Sequence, residues 1–65
     1  MITINGNAIH LTAPCTVETL LVEQGYSLQR IAVERNGAYS SSYRYADTIV
    51  QDGDTYEIVS FVGGG

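Results

Sequence analysis

A chain of 65 residues carrying seven acids against three arginines, for a net charge of −4, can build one small core and has no basic surface to offer a phosphate backbone. At that length folding buries only about 60% of the surface the unfolded chain exposes, which leaves no volume for a deep catalytic cleft and argues against a small-molecule enzyme or a nucleic-acid partner. The 45% hydrophobic and 15% charged residues are those of a globular domain that folds alone.

Residues 1–5 alternate, with Ile2 and Ile4 on one face, and Asn5-Gly6-Asn7 supplies the positive-φ residues of a tight hairpin turn. Residues 8–12 read as the returning strand, with Ile9 and Leu11 inward. The period then changes: Val17, Leu20 and Leu21 stand at i, i+3 and i+4, Thr16 is an N-cap, Glu18 lies in the first turn, and Gly25 takes the place of a C-terminal capping glycine. This predicts one helix over 16–24. Residues 31–35 alternate again with Ile31 and Val33 inward, and Asn36-Gly37 marks a turn into a polar Ser/Tyr-rich stretch read as an irregular crossing. Residues 48–50 form a short strand or a turn, Asp52-Gly53-Asp54 turns the chain, and TYEIVSFV, residues 55–62, is the last strand.

One helix can cover only one face of the sheet, so the expected fold is a two-layer α+β domain of four to five strands whose other face meets solvent or a partner. On the last strand Tyr56 and Ile58 are placed inside, and Val59 and Phe61 on the open face. With Val62 they make the candidate partner-binding surface. The alternative is that both sets are core in a twisted sheet edge.

Gly63, Gly64 and Gly65 follow that strand without a spacer. The division expected is a domain over 1–62 and a tail over 63–65. Three residues reach about 10 Å, enough to carry a terminal carboxylate into another protein's cleft, and without a Cβ they thread a channel closed to other residues. Fraying or a cloning scar is the rival account. Lysine is absent, and one Cys15 with one His10 makes no disulfide, metal site or iron–sulfur cluster. Cys15 reads as packing, His10 as a solvated histidine, Asp52 and Asp54 as turn chemistry, and the five tyrosines as sheet and edge packing. No apolar run reaches the roughly 18 residues of a membrane span, and MITING lacks the features of a signal peptide, so a cytoplasmic protein off the membrane is expected.

The ending DGDTYEIVSFVGGG, the segment IAVERNG and the helix TVETLL resemble the ThiS sulfur carriers of thiamine biosynthesis along nearly the whole chain. The family usually has a V-P-R-S-like run after the Asn-Gly turn, where this chain has Ala38 to Tyr45. The resemblance implies a ubiquitin-like β-grasp fold, with the first and last strands parallel at the centre of a mixed sheet. It also implies a monomeric carrier that is not itself an enzyme and binds no cofactor. The Gly65 carboxylate would be adenylated by an E1-like, ThiF-type enzyme that consumes ATP. A persulfide donor would convert it to a thiocarboxylate, and a ThiG-type thiazole synthase would consume that. Rival readings are a carrier of the molybdopterin synthase small-subunit type, a ubiquitin-like modifier, and an interaction module with an idle tail.

Overall fold

In the computed structural model, which describes residues 1–61, five strands form one mixed sheet on a single α-helix. Strands β1 (Ile2–Ile4) and β2 (Asn7–Ile9) form a hairpin, α1 spans Val17–Glu23, β3 (Ile31–Arg35) and β4 (Ala38–Ser40) form a second hairpin, and β5 (Thr55–Ser60) comes last. The order β2-β1-β5-β3-β4 puts β1 and β5 side by side and parallel near the centre, with every other pairing antiparallel. This is the β-grasp arrangement expected.

Both hairpins turn on Asn-Gly: Asn5 and Asn36 have φ of 49° and 54° with glycines at positive φ behind them, as a two-residue type I′ loop demands. The second returning strand is where the sequence reading fails, because the stretch read as irregular begins with β4, paired to β3 through Arg35↔Ala38 and Val33↔Ser40. The first returning strand is shorter than 8–12. Its partner β1 offers only three residues, so the ladder closes at Ile2↔Ile9 and His10 to Thr12 have nothing to pair with. Leu11 still packs against the core from outside the sheet.

Thr16 caps α1 as read, its Oγ1 accepting the Thr19 N–H at 3.1 Å. At the other end Gly25, at φ 87°, lets its own N–H reach the Val22 carbonyl and the Tyr26 N–H reach that of Leu21, the paired bonds of a Schellman motif. The helix buries Val17, Leu20 and Leu21 against Ile2, Ile4, Ile31, Val33, Tyr56 and Ile58 of the sheet, with Tyr45 and Val50 closing the core from the crossing between β4 and β5. Each such side chain contributes about 1.5–3 kcal/mol by leaving water. Residues 48–50 supply one bridge, Thr16↔Ile49, rather than a strand. Of the tyrosines, Tyr56 and Tyr45 are core, whereas Tyr39 and Tyr43, 73% and 92% exposed, lie outside it, so packing does not account for all five as expected.

Candidate functional site

Strand β5 is held along its whole length, and the side chains of the two turn asparagines do much of the holding. At its start the Asn36 Oδ1 accepts the Thr55 N–H at 2.9 Å. Further along, the parallel pairing with β1 ends at Ile4↔Tyr56, and the Asn5 amide takes over. It accepts the Ile58 N–H at 2.7 Å and donates to the Ile58 carbonyl at 3.1 Å, so one side chain stands in for a strand residue. On the other edge β5 pairs with β3 from Arg35↔Tyr56 to Ile31↔Ser60, and the Phe61 N–H reaches the Arg30 carbonyl. The chain thus leaves the sheet at a fixed point.

At that exit Tyr56 and Ile58 are buried, while Val59 and Phe61 are 60% and 55% exposed, so the two sets divide between core and open face and the alternative of a core made of both is excluded. Ala32 lies opposite Val59 and extends the apolar ground onto β3. One step back, Glu34 faces Glu57 across the strands and both are exposed. Like charges opposite one another repel, so this face suits a partner that is apolar against Val59 and Phe61 and cationic beside them. Val62, Gly63, Gly64 and Gly65 lie outside the described residues.

The buried charge of the molecule sits at the opposite end of β5. Asp54 is 5% exposed and gathers donors from three directions: Arg35 Nη2 and Nε at 2.9 and 3.0 Å, Tyr56 Oη at 2.9 Å, Asn36 Nδ2 at 3.0 Å and the Gln51 N–H at 2.9 Å. Burial pushes its carboxyl up, and the bonds from Asn36, Gln51, Tyr56 and Arg35 outweigh burial and hold it below the usual carboxylate range. Burial pushes the Tyr56 hydroxyl up to about 12. Arg35 is held more firmly protonated, chiefly by its bond to Tyr56. Turn chemistry alone does not describe Asp54: it ties β3, the 51–54 turn and β5 into one unit. Asp52 does stay at the exposed surface, where its bond with the N-terminal ammonium lowers its pKa.

Cys15 is half-buried, with its carbonyl accepting the Val50 N–H at 2.9 Å. That places it beside the segment that leads into β5, while Phe61 leaves at the finishing end of that strand, whose six residues span roughly 20 Å. His10 is exposed, as read. No group of three His, Cys, Asp or Glu among the described residues could hold a metal ion, and no helix among them is long and apolar enough to cross a membrane.

The model of the ThiS family matches residues 2–65. The chain belongs to the ThiS family. A ThiS-family crystal structure, the thiamine biosynthesis protein ThiS of Geobacter metallireducens, superposes on it with a TM-score of 0.79 at 30% identity, covering 98% of this chain and 97% of that one. A thiazole synthase of Paramagnetospirillum magneticum is 47% identical over 62 residues, which are 95% of this ThiS-family chain and 19% of the synthase. The protein ycf40 of Porphyra purpurea is 33% identical over 64 residues, 98% of this chain and 90% of its own length. The chain therefore spans about a fifth of the synthase it matches and most of ycf40.

Proposed function

We propose that this protein is a sulfur carrier of thiamine biosynthesis that acts as a substrate of other enzymes, with Gly65 bearing the cargo. The observation that carries the reading is the exit of the central strand β5 beside an exposed apolar pair, Val59 and Phe61, in a chain whose family match runs on through Gly63, Gly64 and Gly65. Such an exit offers a partner a surface to grip within a few residues of the reacting group.

A carboxylate with a pKa of about 3.5 is ionised at neutral pH and is a poor electrophile, so the Gly65 carboxyl has to be activated. An adenylating partner provides this: a carboxylate oxygen attacks the α-phosphorus of ATP and expels pyrophosphate. The terminal sulfur of a persulfide then attacks the acyl adenylate and expels AMP. A thiol cleaves the acyl disulfide so formed, releasing the thiocarboxylate and a disulfide. Glycines let each partner close around the backbone and keep water from the adenylate. A thiazole synthase is the consumer, in keeping with the synthase relative.

The test is a truncation lacking Gly64 and Gly65, assayed for ATP–pyrophosphate exchange with the adenylating enzyme. Every core residue among those described lies between Ile2 and Ile58, so the truncated protein is expected to melt within a degree or so of the full chain. Exchange is lost in it; exchange that persists refutes the reading.

A further inference from the structure

Two of the three arginines in this acidic chain, Arg35 and Arg44, line one cavity of about 330 Å³ beside the β3–β4 hairpin. Tyr39, Ser40, Ser41 and Thr48 line it with them, and no carboxylate among the described residues does. Of the other cavities, one is lined in part by Asp52 and another by Glu23. Arg35 is paired with Asp54 behind the wall, so the uncompensated positive charge of this cavity is that of Arg44.

One wall and the backbone of the other are fixed before any ligand arrives. Arg35 is anchored through Nε and Nη2 to Asp54 and Tyr56, while Nη1 makes no hydrogen bond among the described residues. Arg44 is exposed, and its backbone is pinned: the Arg44 N–H donates to the Ser41 carbonyl at 2.9 Å, and the Arg44 carbonyl accepts the Thr48 hydroxyl at 2.8 Å. That segment is tied in turn to α1 by the Glu18 N–H on the Tyr45 carbonyl and the Val17 N–H on the Thr48 carbonyl. Ser41 Oγ accepts the Tyr43 N–H, which leaves its proton free to donate, and Ser40 brings a second hydroxyl to the lining. A carboxylate is satisfied by one guanidinium fork. Two guanidinium groups from different elements, with hydroxyls between them, match the three outer oxygens of a phosphate group.

We propose that this cavity binds a phosphate group, through Arg44 and the hydroxyls of Ser40 and Ser41 with Arg35 as the fixed wall. The binding is independent of the carrier chemistry at Gly65. Asp54 offsets the charge of Arg35, and the repulsion of the more distant acids is screened beyond about 8 Å at physiological salt, so Arg44 and the hydroxyls carry the binding.

The experiment follows the arginine Nε–H signals by NMR in titrations of the full chain with inorganic phosphate, AMP and acetate, for wild type, Arg44→Gln and Arg30→Gln. Phosphate and AMP shift the Arg44 and Arg35 signals saturably. Tighter binding of AMP assigns the site to a nucleotide phosphate, and equal binding assigns it to the free ion. Arg44→Gln keeps its melting temperature, because the side chain is exposed, and binds roughly tenfold more weakly through the loss of a charge-assisted contact. Arg30→Gln, altered outside the cavity, binds as wild type does. Non-saturable shifts, equal weakening in the two variants, or acetate binding as tightly as phosphate would overturn the proposal. The last result would reassign the cavity to an acidic protein side chain.

Discussion

Asp54 carries the one buried charge among the described residues, and its acceptor capacity is matched by donors from Arg35, Tyr56, Asn36 and the Gln51 backbone. Because its folded pKa lies below the unfolded value of about 3.9, the unfolded chain takes up the proton first on acidification. The stabilisation is complete above about pH 5 and disappears as pH falls through the folded value. Asp54→Asn should therefore cost roughly 1.5–3 kcal/mol at pH 7, from charged hydrogen bonds discounted for a partner, Arg35, that remains partly in water. Thermal unfolding between pH 7 and 3 checks this: the variant's melting temperature falls less steeply below pH 5 than the wild type's, and parallel curves would remove Asp54 from the account. Nothing local in the sequence announces this network. A carboxylate two residues beyond another and flanking a glycine reads as a turn, and its partner Arg35 is 19 positions away, adjacent only once Arg35 and Tyr56 are known to be opposite each other. The roles of Asn5 and Asn36 were half legible for the same reason. Their positive φ follows from Asn-Gly, whereas the amide contacts to β5 need the topology.

Strand β5 was the most legible element. Alternation of Tyr56, Ile58 and Val59, Phe61 in a sheet with one helix favoured one pair inside and left open a core of both, and the exposures decide for the first. Among the described residues it ends at Ser60, leaving out Phe61, because β3 begins at Ile31 and offers no partner beyond Ser60; Val62, also read as strand, lies outside the described residues. β4 was missed because Ala38-Tyr39-Ser40 at the sheet edge buries none of its residues, so it lacks the apolar alternation by which strands are found. The two-residue Asn-Gly loop was the signal available, since a type I′ turn joins two strands. The faces of β5 yield a paired prediction. Ile58→Ala removes buried methyl groups and should cost about 2–4 kcal/mol in denaturant unfolding. Phe61→Ala should cost less than about 0.5 kcal/mol while weakening binding to the adenylating enzyme by tenfold or more. Isothermal titration and unfolding of both variants decide it, and interchanged effects would mean that the docking face is the other one.

At the scale of the molecule, the β-grasp frame separates what the chain binds with from what it is built on. The start of β5 holds the Asp54 network and Cys15, whereas its end leads to the open apolar face and on toward Gly65. Under the proposed function, carrier chemistry at Gly65 is therefore expected to need no help from the Cys15 thiol. The most direct measurement is intact-mass analysis of wild type and Cys15→Ser after incubation with the adenylating enzyme, ATP and a persulfide donor. The account predicts that one terminal oxygen is replaced by sulfur in both proteins, and that fragmentation places the sulfur on Gly65. Sulfur found on Cys15, or a serine variant that is adenylated yet takes up none, would contradict it.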